Sequence, residues 1–292
     1  MKVLIIGAKG MLGQELVRVF SSGHEVTGLD REGENFASQI DITTQAARGK
    51  IQKLKPNLLI NTAAYNDVDG AETNQGVAQT LNGYALRNLA QISSELGIPI
   101  VHYSTDYVFD GRKQEGYRES DPPSPVSVYG ESKLLGETEL QRHAQKFYLI
   151  RLSRLFGKRA LSVAGKKSFV DLMLVRGRTG RRVEVVDKEL SCPTYAPDLA
   201  ERTRFVVESH RPFGIYHCAN KGVCTWFGFA KEIFRIAKLD ERLLHVARAP
   251  FFRRAAKRPK FSILLNTKLP QMRDWREALQ EFLVGTEGGV SH

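Results

Sequence analysis

Short apolar runs recur along the first half of the chain, separated by stretches with apolar residues at helical spacing. Lys2 to Ile6 reads Lys-Val-Leu-Ile-Ile, which is too short for a helix and apolar at successive positions, the pattern of a strand buried on both faces. Glu25 to Leu29, Leu58 to Asn61, Ile100 to Ser104 and Tyr148 to Leu152 read the same way. Between them, Met11 to Phe20, Thr43 to Leu54, Ala78 to Leu96 and Val128 to His143 carry the helical period. This alternation predicts an α/β fold, a doubly wound parallel sheet with helices on both faces. The proline cluster Asp121-Pro-Pro-Ser-Pro125 ends regular structure just before the helix at Val128. Beyond Ser153 the pattern loosens into glycine and basic residues from Gly157 to Arg182, then shorter elements and a last helix, Trp275 to Leu283. Residues Gly285 to His292 read as a loose tail, and no internal repeat is present.

Composition narrows the classes without choosing among them. The chain has 292 residues and is 42% hydrophobic, enough for a full core. It has no disorder signature, no signal-peptide pattern and no uninterrupted run of about eighteen apolar residues, so a soluble cytoplasmic protein is expected, without membrane contact. Three cysteines, Cys192, Cys218 and Cys224, match neither a disulfide framework nor a zinc knuckle and read as free thiols. The net charge of +11 is concentrated in segments such as Arg176 to Arg182 and Phe251 to Lys260. Basic residues among aromatics suit a polyanion or a solvated exterior; no nucleic-acid motif accompanies them, and no nucleic-acid partner is expected.

Two local motifs supply candidate chemistry. Gly7-Ala-Lys-Gly10-Met-Leu-Gly13 sits between the first strand and the first helix, where a dinucleotide fingerprint belongs, although its spacing is G-x-x-G-x-x-G rather than G-x-G-x-x-G. Gly7 allows the turn, Gly10 admits a pyrophosphate, Gly13 admits the helix, and the helix start offers unpaired N–H groups. Asp30, at the end of the second run, suits a ribose hydroxyl and NADH; Arg31 suits a 2′-phosphate and NADPH. Far downstream, Ser127-Val-Tyr129-Gly-Glu-Ser-Lys133 places a phenol and an ammonium four residues apart, on one helix face. A neighbouring cation brings a phenol, with its ordinary pKa of about 10, toward the working range of an acid–base catalyst. Tyr-x-x-x-Lys is common on helix surfaces and spaced glycines are common in turns; together, in this order, they indicate an enzyme.

A longer series of segments carries a family likeness. Ile6-Gly-Ala-Lys-Gly-Met-Leu-Gly-Gln-Glu-Leu16, Asn61-Thr-Ala-Ala-Tyr-Asn-Asp-Val-Asp69, Ser104-Thr-Asp-Tyr-Val-Phe-Asp-Gly111, Tyr129-Gly-Glu-Ser-Lys-Leu-Leu-Gly-Glu137 and Cys192-Pro-Thr-Tyr-Ala-Pro-Asp-Leu-Ala200 follow in order, with Tyr216-His-Cys-Ala-Asn220 and Arg258-Pro-Lys-Phe-Ser262 beyond. On these residues the chain resembles the extended short-chain dehydrogenase/reductases and, within them, the dTDP-4-dehydrorhamnose reductase family. The resemblance implies a Rossmann domain, mainly residues 1–153, a smaller substrate-binding lobe, mainly 154–284 with segments returning to the first domain, and a tail, 285–292. It implies hydride transfer from NADPH or NADH to the 4-keto carbon of a nucleotide-linked 6-deoxyhexose. Tyr129 would then protonate the forming alkoxide, Lys133 would lower the phenol's pKa and hold the ribose, and Thr105 would bond the carbonyl oxygen. Cofactor contacts carry over to Gly7, Gly10, Met11, Leu12, Gly13, Asp41, Ile42, Ala63, Ala64 and Tyr65, with Asn82 as an anchor; substrate contacts carry over to Val68, Asp106, Tyr107 and Arg154.

Related activities differ at the residues after the threonine. Sugar-nucleotide dehydratases have a glutamate base there, and 4-epimerases have small residues; Asp106 and Tyr107 match neither. Within the family pattern two departures stand out. Arg151-Leu-Ser-Arg154-Leu-Phe-Gly157 has an arginine where the reductases have a pocket-lining tryptophan, and Asp187-Lys-Glu-Leu replaces Asp-Gln-x-Gly. Arg154 is expected either to meet a substrate anion or to turn to solvent. The alternative readings are a cofactor-binding partner subunit, similar to the regulatory β subunit of methionine adenosyltransferase, and a reductase of a different sugar nucleotide. The family includes magnesium-linked dimers; no metal-ligand cluster is readable here, so Mg2+ and the choice of monomer or homodimer stay open.

Overall fold

The structure, a computed structural model, describes residues 1–32, 38–162, 165, 167–247 and 254–287. The chain runs β1 (Lys2–Ile6), α1 (Met11–Ser21), β2 (Glu25–Leu29), α2 (Ala46–Leu54), β3 (Leu58–Asn61), α3 (Val68–Ala71), α4 (Gln75–Gln79), a π-helical turn (Thr80–Tyr84), α5 (Ala85–Glu95) and β4 (Ile100–Thr105). A 3₁₀ turn (Asp106–Val108) leads toward α6 (Val128–His143), β5 (Phe147–Leu152), β6 (Leu155–Phe156), α7 (Phe169–Arg178), β7 (Val183–Val185) and β8 (Thr194–Tyr195). The chain continues with α8 (Ala196–Glu208), β9 (Gly214–His217), α9 (Trp226–Ile236), β10 (Leu244–Val246) and α10 (Trp275–Glu287).

Six strands form one sheet in the order β2-β1-β3-β4-β5-β9, with every pairing parallel. The apolar runs therefore became interior strands: β1 beyond Lys2, β3 and β4 are buried at every position. Helices cover both faces. One core layer sets α1 and α8 against the sheet, a second sets α2, α5 and α6 against the other face, and a third gathers Phe156, Phe229, Phe234 and Trp275 among α7, α9 and α10. Strand order reverses between β1 and β3, so the connections leaving their carboxyl ends run to opposite faces and open a crevice, the usual place for a ligand in such sheets.

The sequence placed each of these sheet strands within a residue of its observed ends, apart from β9, which lies in the looser second half. Helix boundaries moved more. The expected helix Ala78 to Leu96 is interrupted by the π turn at Thr80–Tyr84, where the Asn82 side chain serves the site. The helix expected from Thr43 begins at Ala46, because the Thr43 hydroxyl and N–H both bond Asp41 Oδ1, at 2.6 and 2.9 Å, instead of joining a helical ladder. The last helix continues through Glu287. Of the expected tail, 288–292 lie outside the described residues, as do 251–253 of the basic segment. All three cysteines are buried and unbridged. No described helix is long and apolar enough to cross a membrane.

Candidate active site

The glycine loop is closed by backbone bonds. Gly7 takes φ +81° and donates to Leu29 O at 2.8 Å, and Gly10 N–H returns to Gly7 O at 3.0 Å. A Cβ on Gly13 would lie 2.0 Å from Gly7 O, so only glycine lets α1 start this close to the loop. Gly10 is the N-cap of α1 and caps with no side chain, and the first turn holds no acidic residue. The N–H groups of Met11 and Leu12 have no partner within the helix, as at any helix start, and point the positive end of the helix dipole at whatever lies before it.

A cavity of about 1050 Å³ opens over this loop. Every candidate residue from the sequence lines it except Asn82 and Gly13, the latter beneath the loop: Gly7, Gly10, Met11, Leu12, Asp30, Arg31, Asp41, Ile42, Ala63, Ala64, Tyr65, Val68, Thr105, Asp106, Tyr107, Tyr129, Lys133 and Arg154. Segments separated by more than a hundred residues thus meet in one place. Asn82 stands behind this wall. Its Oδ1 accepts from Tyr65 N–H at 2.8 Å and its amide donates to Tyr65 O and Ser132 Oγ, tying the loop after β3 to α6.

At the adenosine end, Asp30 does not face the cavity as an idle carboxylate. Its Oδ2 accepts from Lys9 N–H at 3.0 Å, so it braces the glycine loop. Arg31 is exposed at the cavity rim and no described residue pairs with it. The glycine cradle, the bare helix start and a rim cation fit a dinucleotide carrying an additional phosphate.

The other end is buried and polar. Thr105, at the end of β4, donates to Asp106 Oδ1 at 3.0 Å and accepts from Tyr107 N–H at 3.2 Å. Asp106 is a buried hub: its Oδ2 also accepts from Ser153 at 3.0 Å and Ser262 at 2.5 Å, joining the ends of β4 and β5 to the C-terminal segment. Burial raises its pKa, against the pull of these three hydroxyls. Tyr129 projects from α6, whose N-cap Ser127 accepts from Gly130 N–H at 3.2 Å. Its ring meets Tyr107 edge-on at 5.7 Å.

Burial governs the electrostatics of the tyrosine and lysine. Burial drives the Tyr129 phenol above its ordinary range, opposed by a hydrogen bond with Thr105; Lys133 is not among the groups that shift it. Lys133 instead donates to Tyr103 O at 2.7 Å and lies 3.4 Å from His102 Nε2, and burial pulls it down to about 8 despite Glu137. Burial thus favours the protonated phenol over the phenolate.

Arg154 lines the cavity and does not turn to solvent. At φ +44°, it donates from Nη1 to Cys224 O at 2.9 Å and from Nη2 to Glu189 O at 2.7 Å, with its Cζ 4.0 Å above the Trp226 ring. Trp226 in turn donates to Glu189 Oε2 at 3.0 Å and lines the cavity. The two departures from the family pattern are thus one cluster, with an aromatic supplied from α9. Sequence reasoning missed Trp226, His102, Ser153 and the partnership of Ser262, because each acquires its role through contacts remote in the chain. Among the described residues no group of three or more His, Cys, Asp or Glu is placed to hold a metal ion.

Comparisons with known proteins agree with this geometry. The family model described as RmlD substrate binding domain matches residues 1–287. The spore coat polysaccharide biosynthesis protein SpsK of Bacillus subtilis is 36% identical over 287 residues, 97% of this chain and 96% of that protein. The dTDP-4-dehydrorhamnose reductase of Streptomyces griseus is 35% identical over 290 residues, 95% of this chain and 91% of that one. A crystal structure of dTDP-4-dehydrorhamnose reductase from Bacillus anthracis in complex with NADP superposes with a TM-score of 0.89 at 32% identity, covering 97% of this chain and 99% of the other. The chain belongs to the RmlD substrate binding domain family, that of the dTDP-4-dehydrorhamnose reductases.

Proposed function

We propose that this protein reduces the 4-keto group of a nucleotide-linked 6-deoxyhexose, with dTDP-4-dehydrorhamnose as substrate and NADPH as the preferred reductant. The observation that carries the reading is a single cavity joining a glycine loop at one end to Thr105, Tyr129 and Lys133 at the other. Residues 1–153 supply the cofactor side, and residues from 154–284 close the substrate side.

The N–H groups of Met11 and Leu12 receive the pyrophosphate, with Gly10 leaving room for its approach. Arg31 takes the 2′-phosphate, since Asp30 is engaged with the loop. When bound, the nicotinamide supplies the hydride. Tyr129 donates to the carbonyl oxygen, where negative charge develops, and Thr105 joins it by turning its one hydroxyl proton from Asp106 Oδ1 to that oxygen, so both favour the transition state over the ground state. Tyr129 gives up its proton there, as a phenol that is protonated at neutral pH. Lys133 holds the ribose, and Tyr107 with Val68 walls the sugar side. Burial of Thr105, Asp106 and Tyr129 excludes water from the reacting oxygen.

Incubation with NADPH deuterated at the transferred position and dTDP-4-dehydrorhamnose tests the reading. One deuterium should appear at C4 of the deoxysugar. Binding of NADPH without any transfer, across a panel of 4-keto sugar nucleotides, would instead make the chain a cofactor-binding partner subunit.

A further inference from the structure

Lys133 has an unusual neighbour. Its nitrogen lies 3.4 Å from Nε2 of His102 on β4, and His102 Nδ1 lies 3.1 Å from the Asn61 amide nitrogen on β3. All three side chains are buried, at 1–2% exposure. The orientation of the Asn61 amide follows from a backbone group: Ala63 N–H can only donate, and it lies 3.2 Å from Asn61 Oδ1. The amide NH2 therefore faces His102, and Nδ1 must accept from it. A neutral imidazole that accepts at Nδ1 carries its proton on Nε2. That N–H points at Lys133.

An amine lone pair can receive this N–H; an ammonium opposes donor with donor. We propose that His102 is a positioning residue that lowers the proton affinity of Lys133 by presenting Nε2–H to it, with Asn61 fixing the tautomer. The inference rests on the reductase reading only for its consequence, a lysine that exchanges its proton near the working pH. The surroundings agree. Burial and Lys133 hold His102 well below its ordinary range, so the imidazole stays neutral. The groups facing Lys133 are Tyr129 and Glu137 on its own helix, the latter paired with Arg151 of β5, and His102 and the Tyr103 carbonyl on β4; of these, Glu137 raises its pKa. No carboxylate among the described residues pairs directly with Lys133.

The polarity of the contact gives a signed test. Lysine labelled with carbon-13 at Cε reports each side chain's titration by NMR in the full-length protein, and the Lys133 signal is the one lost in Lys133→Met. The wild-type midpoint should fall near 8. In His102→Leu it should rise by about one pH unit, the loss of one hydrogen bond to the neutral amine. In His102→Gln, whose amide can still donate, it should stay in place. A midpoint in His102→Leu that is unchanged or lower would overturn the proposal, because an accepting imidazole stabilises the ammonium. Should the leucine variant not fold, a shifted midpoint in His102→Gln overturns it equally. The alkaline limb of kcat/KM should move with the NMR midpoint. Absence of turnover in the wild type would sink the reductase reading and leave the titration result standing.

Discussion

The ion pair beneath the site offers a stability test that the structure makes quantitative. Arg151 of β5 donates from Nε to Glu137 Oε1 at 2.9 Å and from Nη2 to Oε2 at 2.6 Å, and the two side chains are 1% and 0% exposed. Glu137 lies one turn after Lys133, so this bidentate pair holds the tyrosine helix on the sheet. Arg151 also lies 5.0 Å over the Phe109 ring. Truncating one member of a buried pair strands the other as an uncompensated charge, which typically costs about 3–5 kcal/mol. Against a net stability of roughly 5–15 kcal/mol for a folded domain, that is a large share. Arg151→Met and Glu137→Gln should each lose about that amount in urea unfolding followed by circular dichroism. The double replacement Glu137→Met with Arg151→Met should cost much less than the sum, since no charge is left behind. Single variants within about 1 kcal/mol of wild type, or a double variant that simply adds the two losses, would refute the claim that the pair clamps α6 by mutual compensation.

Further expectations address the chemistry directly. Tyr129→Phe should lower kcat by roughly 10²–10⁴-fold while the NADPH dissociation constant, from fluorescence titration, changes little. Arg31→Ala should weaken NADPH binding by roughly 10–100-fold, the scale of one charged hydrogen bond, and leave NADH binding unaffected; equal losses for both would remove Arg31 from phosphate recognition. Asp69 accepts two bonds from Arg258, each 2.6 Å, and one from Ala256 N–H, which hold its carboxyl at about 2. A folded-state pKa below the unfolded one contributes stability that is present above the ordinary carboxylate range and lost as pH falls through about 2. The advantage of wild type over Asp69→Asn in thermal unfolding should therefore shrink through that window and be level above it.

What the sequence made legible is what short-range chemistry encodes. A strand buried on both faces announces itself in five residues, as Lys2–Ile6 does, and the glycine loop and the tyrosine helix are each complete within seven. Their meeting follows from the parallel topology, which brings strand ends to one crevice. Contacts across large separations carry no such signal. Asp106 receives hydroxyls from 47 and 156 residues away, which makes this cavity-lining residue an internal brace as well. Asn82 was expected as an anchor on the family likeness alone, and bonds from its side chain to Tyr65 coincide with a π turn that periodicity cannot announce. Arg154 was readable as a departure, but its placement depends on Trp226 and on carbonyls of Glu189 and Cys224, none of them near it in sequence. The relation between Tyr129 and Lys133 was half legible. Their spacing on α6 is as expected, while the direction of the phenol's shift depends on burial, which a helical period does not measure.

The most direct test of the central claim is a single kinetic measurement: NADPH consumption by the purified protein with dTDP-4-dehydrorhamnose as acceptor, beside Tyr129→Phe. Stoichiometric consumption by the wild type, with turnover all but lost in the variant, is the predicted result. Full turnover by Tyr129→Phe, or none by a wild type that binds both ligands, would contradict the account.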